Sequence, residues 1–323
     1  MMEHLFSISA YEDDLDGYGG ASGAILAVKD AGADGIELIT GYFDPDPIFE
    51  GVVKGVHLPY ATDWYSVWCG DVKPEECEGD IRFRSYGKDK GDIIRNLTDA
   101  ITRALALSPE YGVLHASNAR MDEVMGFSYR DSDEDILNAV AEMLNGVASS
   151  FPGNEMPFPV LLENLVWPGL TMTDDSGFRI LEDLLDFDNW GICLDTGHLM
   201  AHLGTCRNED EGIDEILMIV RSYPEEMKDR INVIHLHMSL SADYREQCIE
   251  HPIISGTKDH GEMMKKAYEH VCKLDEHRPF TSPAVTDVVE LIGPRYVTHE
   301  ITAPTPSDVL SGFSSQRSLF KRT

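Results

Sequence analysis

The chain has 323 residues, 42% of them hydrophobic, which is enough to bury a large core in one big domain or two smaller ones. It carries 57 acidic against 26 basic residues, a formal net charge of -31. Nucleic acids and anionic membranes are normally bound through clustered Lys and Arg, so we expect neither as a partner. The sequence also lacks an apolar run long enough to span a bilayer and a signal-like start, so we expect a cytoplasmic protein.

Strand-like apolar runs alternate with amphipathic, helix-like runs along the chain. We predict strands at residues 5–10, 35–40, 52–59, 111–116, 158–165, 190–195, 231–238 and 296–301. We predict helices at residues 21–31, 89–107, 133–149, 176–186, 209–222 and 284–292. This alternation is typical of a parallel sheet covered by helices, and eight strands predict an α/β fold with a single closed (β/α)8 TIM barrel.

Two connections are longer than the rest. Residues 61–88 follow the third strand and are predicted to form a lid, and residues 239–274 follow the seventh strand and contain an extra helix near 263–274. Both follow the carboxyl end of a strand, where barrels of this kind build their active sites. We therefore expect a catalytic barrel domain at 1–303, with extended loops after strands 3 and 7, and a polar C-terminal tail at 304–323.

Side chains that bind metals stand at or near the ends of six predicted strands and in the segment before the last strand. The candidate ligands are His57, His115, Glu163, Asp195, His198, His235, Asp275, His277 and Glu300. Charged groups at the end of a buried strand are costly unless their charge is matched, and a divalent cation matches it. Mixed carboxylate and imidazole ligands without cysteine suit zinc or manganese at a functional site.

Four further residues are candidates for substrate binding. His237 lies two positions beyond His235, on the same face of the chain, and either contacts substrate or is structural. Trp64 and Trp167 follow strand ends, where aromatic rings either stack on a sugar or pack a lid. Arg278 either grips a substrate phosphate or carboxylate or forms a salt bridge with its acidic neighbours.

Several of these motifs together resemble the xylose isomerase-like TIM-barrel superfamily. They are Val-Leu-Leu-Glu163-Asn, Cys-Leu-Asp195-Thr-Gly-His198, Ile-His235-Leu-His237, Asp275-x-His277-x-Pro and the final Glu300. The superfamily includes sugar phosphate isomerases and epimerases and the endonuclease IV enzymes of AP endonuclease family 2. The resemblance spans nearly the whole chain and rests on the order and spacing of the motifs.

The resemblance to the epimerases implies one divalent ion, zinc or manganese, held by Glu163, Asp195, His235 and Glu300. The two glutamates would shuttle a proton at the carbon beside a carbonyl that the ion polarises. We favour this interpretation, a metal-dependent isomerase or epimerase acting on a small sugar or sugar phosphate. The acidic surface supports it, as does His237-Met238 where endonuclease IV typically has Asn-Asp.

The resemblance to endonuclease IV implies up to three zinc ions, since all nine candidate ligands match its ligand positions. The alternative is therefore a multinuclear zinc phosphoesterase acting on a small phosphodiester or on AP-site DNA. The acidic stretch with Glu75, Glu76, Glu78 and Asp80 would face DNA phosphates badly, so nucleic acid is the less expected substrate.

Overall fold

A computed structural model describes residues 2–72, 81–251 and 260–321 of the chain. Its strands are β1 (Glu3–Ser9), β2 (Gly35–Ile39), β3 (Val53–His57), β4 (Tyr111–His115), β5 (Val160–Glu163), β6 (Trp190–Asp195), β7 (Ile231–His235) and β8 (Tyr296–His299). Each strand pairs in parallel with the next, and β8 pairs with β1. The predicted (β/α)8 barrel is thereby confirmed.

The helices cover the outside of the barrel and fill its connections. They are α1 (Glu12–Asp16), α2 (Ala21–Asp30), α3 (Tyr65–Trp68), α4 (Ile81–Ser85), α5 (Lys90–Ala104), α6 (Met121–Gly126), α7 (Asp133–Ala148), α8 (Ser176–Leu184), α9 (Thr196–Leu203), α10 (Glu209–Ser222), α11 (Glu225–Lys228), α12 (Ala242–Glu250), α13 (His260–Leu274), α14 (Val285–Ile292) and α15 (Pro306–Ser318). All six predicted helices are present, with ends shifted by up to three residues. None of the helices in the described segments is long and apolar enough to cross a bilayer.

Local sequence explains where the long helices begin. The Asp89 side chain accepts a hydrogen bond from the Asp92 amide at the start of α5, and Ser132 does the same for Asp135 at the start of α7. Such caps satisfy amide groups that a helix leaves free in its first turn. The caps fix where the two helices start against the barrel.

Two layers of side chains fill the inside of the barrel. The lower layer is apolar and comprises Leu5, Tyr111, Val113, Leu161, Cys193, Val233 and Tyr296. Because strand side chains alternate between faces, the residues two positions later on β4 to β7 also point inward. These later residues are His115, Glu163, Asp195 and His235, so the polar layer lies directly above the apolar floor, at the carboxyl end of the barrel.

The C-terminal tail contributes a packed helix. Residues 306–318 form α15, whose Phe313 is fully buried beside Phe6. Gln316 is also buried, and its side-chain amide donates to the Leu236 carbonyl at 2.8 Å. The C-terminal tail that we predicted at 304–323 therefore packs against the barrel through α15. In the loop after β3, residues 73–80 with their acidic side chains lie outside the described residues.

Candidate metal centre

The candidate ligands form three groups, and the first consists of His57, His115 and Glu163. Nε2 of His57 lies 3.1 Å from Oε2 of Glu163, and Nε2 of His115 lies 3.3 Å from the same oxygen. Two ligands of a tetrahedral zinc ion with bonds of about 2.0–2.1 Å lie about 3.3–3.4 Å apart. Nδ1 of His57 contacts the Leu58 carbonyl at 2.9 Å, which leaves Nε2 as the ligand atom.

The second group consists of Glu163, Asp195, His235 and Glu300. Nδ1 of His235 lies 3.1 Å from Oε1 of Glu163, 3.5 Å from Oε1 of Glu300 and 3.8 Å from Oδ2 of Asp195. Its Nε2 lies 2.8 Å from Oε1 of the buried Glu37. A carboxylate behind the imidazole is the usual way to orient a histidine toward a metal.

The third group consists of His198, His237, Asp275 and His277. Nε2 of His198 lies 3.2 Å, and Nε2 of His277 2.7 Å, from Oδ2 of Asp275. Nδ1 of His198 contacts the Asn164 carbonyl at 2.9 Å, so Nε2 is the nitrogen left to bind a metal. His277 reaches the group with a left-handed backbone φ of 49°.

All nine predicted ligands are thus brought together at one end of the barrel. The groups are joined, because Glu163 belongs to the first and the second, and Asp195 of the second contacts His237 of the third at 2.9 Å. Imidazole and carboxylate donors fit zinc or a similar divalent ion, and Nδ1 of His57 and of His198 already contacts a backbone carbonyl. The donor chemistry therefore fits up to three ions.

The electrostatics of the centre also suit cations. Burial raises the pKa of Glu163, but His235 and His115 outweigh burial and lower this pKa well below its usual range. Burial lowers the pKa of His277, but Asp275 outweighs burial and raises it to about 9. The ionised carboxylates also raise the pKa of His198 and His235, and divalent ions can take the place of the protons on these imidazoles.

Of the four predicted substrate-binding residues, three lie outside the ligand groups and one lies within them. Trp64 is fully buried, and its indole N–H donates to the Ser117 carbonyl at 2.8 Å. Trp167 is buried in an apolar cluster that includes Leu274. Arg278 is half-exposed and lies 3.7 Å from Glu276. It therefore forms a salt bridge with an acidic neighbour, which was one of the two roles expected for it. The exception, His237, is buried within the third ligand group and has no surface free for substrate.

One supporting residue, Glu37, was not predicted from the sequence. Glu37 accepts hydrogen bonds from Tyr111 at 2.5 Å and Thr298 at 2.9 Å while it contacts His235. Its signal in the sequence is a single acid inside the apolar strand Gly-Ile-Glu-Leu-Ile. Tyr60 is half-exposed and stacks on His115 with ring centroids 5.0 Å apart, which places an aromatic ring at the mouth of the site.

A cleft of about 340 Å³ opens beside the second and third groups. His277 and Glu300 line it, together with the hydroxyl groups of Ser7, Ser9 and Thr302. Ser7 also donates to Oε1 of Glu300 at 3.3 Å. A second cavity, of about 510 Å³, lies at the opposite end of the barrel, beside Met2 and Asn232. Of these two cavities, both lined by described residues, the first contains candidate ligands in its lining, and its size suits a small molecule.

No protein-family model and no curated protein sequence matches this chain. Among solved structures, an L-ribulose 3-epimerase aligns over 98% of this chain and 93% of its own, with 14% identity and a TM-score of 0.52. A 3-keto-D-glucoside 4-epimerase from E. coli aligns over 98% of this chain and 100% of its own, with 13% identity and a TM-score of 0.51. Endonuclease IV from Thermus thermophilus aligns over 98% of both chains, with 16% identity and a TM-score of 0.47. The chain therefore shares the (β/α)8 barrel fold of these two sugar epimerases.

Proposed function

We propose that the protein is a multinuclear metal-dependent phosphoesterase that hydrolyses a small phosphate ester. One observation carries this proposal: the two carboxylate oxygens of Glu163 face different ligand groups. Oε2 contacts His57 and His115 at 3.1 and 3.3 Å, and Oε1 contacts His235 at 3.1 Å. A carboxylate placed in this way can bridge two ions, as two-metal phosphoesterase chemistry requires.

The same geometry disfavours Glu163 as a base for proton transfer from carbon. A single-ion isomerase needs only the second group. In such an enzyme the remaining donors of the first and third groups would bind no ion. A shuttling glutamate must also present an oxygen to the substrate. Both oxygens of Glu163 lie within 3.3 Å of imidazole nitrogens, and its side chain is almost fully buried. Glu163 is therefore better placed to hold ions than to abstract a proton.

Each residue has a role in this mechanism. Bound divalent ions supply Lewis acidity, lower the pKa of water and neutralise charge on the phosphoryl group. Glu163 belongs to both the first and the second ligand group. Glu37 orients the imidazole of His235, and the Asn164 carbonyl orients that of His198. Glu300 borders the cleft and is fixed by Ser7, so we assign it to accept a proton from the attacking water.

Size and charge restrict the substrate. Arg120 bonds to Glu123 and Asp131, and Arg130 bonds to Asp122, so acidic side chains already pair with both arginines. The described cleft lining contains no Lys or Arg. A polynucleotide needs many such contacts for its phosphates, and the net charge of -31 opposes it. We therefore propose a substrate with one phosphoryl group, which the ions neutralise, and an uncharged polar remainder such as a sugar.

A sugar epimerase is the second candidate. The observation in its favour is that Glu163 and Glu300 belong to one ligand group with Asp195 and His235, an arrangement that also suits one ion between two carboxylates. The two structures with TM-scores above 0.5 described above are both named as sugar epimerases. This function would use the second group alone.

One pair of assays separates the candidates. The zinc-loaded and the manganese-loaded protein are each tested for hydrolysis of bis(p-nitrophenyl) phosphate and for solvent deuterium incorporation into a panel of ketoses. We expect hydrolysis, and we expect His57→Ala to reduce it at least about 100-fold, because the first group loses a ligand. Deuterium incorporation without hydrolysis, unaffected by His57→Ala, would instead establish the epimerase.

A further inference from the structure

One side chain of the C-terminal helix hydrogen-bonds to three segments that carry candidate metal ligands. It belongs to Gln316 of α15, which is fully buried although its amide is polar. We infer that Gln316 is a positioning residue, which holds the ligands His235, His277 and Glu300 in place without being a ligand itself. This inference rests on the metal-dependent function proposed above and extends it to the C-terminal helix.

Two backbone groups fix the orientation of the Gln316 amide. Its side-chain oxygen accepts a hydrogen bond from the Phe280 amide at 2.5 Å, and its NH₂ group donates to the Leu236 carbonyl at 2.8 Å. The oxygen and the nitrogen cannot exchange places, because an NH₂ group cannot accept from an N–H and an amide oxygen cannot donate to a carbonyl. The NH₂ group also donates to Nδ1 of the His299 ring at 2.7 Å.

The two backbone partners lie close to ligands. β7 ends at the ligand His235, and Gln316 bonds the carbonyl of the next residue, Leu236, just beyond the last paired residue of the strand. The other partner, Phe280, follows the ligand His277 by only three residues. The same amide thus ties a ligand segment of the second group to a ligand segment of the third.

The third partner, His299, acts on the neighbouring ligand Glu300. Side chains alternate along a strand, so His299 points toward the helices while Glu300 points toward the centre. Because Nδ1 of His299 accepts from Gln316, the ring proton is on Nε2, which donates to Nδ1 of His4 at 3.0 Å. His4 belongs to β1, as does Ser7, which bonds Glu300 directly. Gln316 thereby fixes the end of β8 against β1 on the side opposite the ions.

These bonds should matter for some ions and not for others. A binding group has to be held within about 0.5 Å of its productive position by packing and supporting hydrogen bonds. Losing such support typically lowers metal affinity about 10–100-fold. The first group takes its ligands from β3, β4 and β5, whereas the partners of Gln316 lie after β7, in β8 and in the segment before α14. Gln316 should therefore support the second and third sites and leave the first unaffected.

The test measures the stepwise zinc affinities of the wild type and of Gln316→Met by chelator competition. Met has a similar volume and removes all three hydrogen bonds. We expect two of the three affinities to fall at least about 10-fold and the third to stay the same. Adding His57→Ala to this variant should abolish the unchanged affinity, which assigns it to the first group. Thermal unfolding of the metal-free proteins shows that both variants are folded.

Phe313→Ala is the matched control, because Phe313 lies on the same helix, is equally buried and packs edge-on against Phe6 with ring centroids 5.3 Å apart. It loosens the packing of α15 but keeps the three bonds of Gln316, so all three affinities should remain. Unchanged affinities in Gln316→Met would overturn the inference, as would an equal loss in Phe313→Ala.

Two further outcomes are decisive as well. If Gln316→Met fails to fold, Gln316→Asn replaces it, because its shorter side chain cannot reach all three partners at once; unchanged affinities in that variant would overturn the inference. One ion in the wild type would contradict the proposed multinuclear function. The second group alone would then bind that ion, and a 10-fold loss of its affinity in Gln316→Met would still support the role of Gln316.

Discussion

Replacing Glu163 by Gln tests the bridging role most sharply, because the two side chains have nearly the same shape. The substitution exchanges one carboxylate oxygen for an NH₂ group and removes the charge. In the native centre the two oxygens lie within 3.3 Å of nitrogens from His57, His115, His198 and His235. Either orientation of the amide leaves one ligand group facing N–H hydrogens, which cannot bind a cation.

The magnitude follows from the number of ions affected. Losing a residue that only orients a ligand typically costs about 10–100-fold in metal affinity, so losing a bridging ligand should cost at least about 100-fold for two ions. A 100-fold loss at a saturated site removes about 2.7 kcal/mol of metal-dependent stability. At about 2 °C per kcal/mol for a chain of this size, the metal-dependent rise in Tm should shrink by about 5 °C per ion.

Thermal unfolding with and without zinc measures this effect, and chelator competition gives the affinities. Glu155→Gln is a suitable control, because Glu155 is a residue outside the centre that bonds to the amides of Asp188 and Asn189 in a surface loop. It should leave the zinc-dependent rise unchanged. If Glu163→Gln bound as many ions as the wild type with equal affinity, Glu163 would not bridge two sites.

Three further predictions concern the surroundings of the centre. Glu37→Gln should lower zinc affinity about 10–100-fold in chelator competition, because Glu37 orients His235. An unchanged affinity would mean that Glu37 does not support metal binding. Phe313→Ala should lower the free energy of unfolding in urea by about 3–5 kcal/mol while zinc content stays the same, and a loss below about 1 kcal/mol would mean that α15 is not part of the core. Trp64→Phe should cost about 1–3 kcal/mol by leaving the Ser117 carbonyl unpaired, with KM unchanged; a KM raised more than about tenfold would place Trp64 on the substrate.

The barrel could be predicted because its signals are local. Each strand is visible in the sequence as a short apolar run. Two of the helix starts are marked by the N-cap residues Asp89 and Ser132. The ends of strands were less accurate. The fifth strand was predicted at 158–165 but spans Val160–Glu163, because beyond Glu163 the Leu165 amide bonds to the Leu170 carbonyl and not to a neighbouring strand. Such tertiary competition is not visible in local periodicity.

The candidate ligands could be predicted because a barrel brings all strand ends to one face, however far apart they are in sequence. The directions in which loop side chains point could not be predicted. Trp64 follows a strand end like Tyr60 does, yet Trp64 is fully buried while Tyr60 is half-exposed beside His115. The difference depends on the Ser117 carbonyl, which belongs to a distant loop and accepts the indole N–H. His237 likewise enters the third group only because Gly197 leaves room for its ring.

Metal stoichiometry tests the central claim most directly. The protein is purified without chelators, saturated with zinc, freed of loosely bound metal and measured by elemental analysis alongside Glu163→Gln. The joined ligand groups predict three zinc ions per chain in the wild type and a loss of at least one ion in the variant. A single ion per chain in both proteins would contradict the multinuclear centre. It would instead support a one-ion enzyme that uses the second group alone.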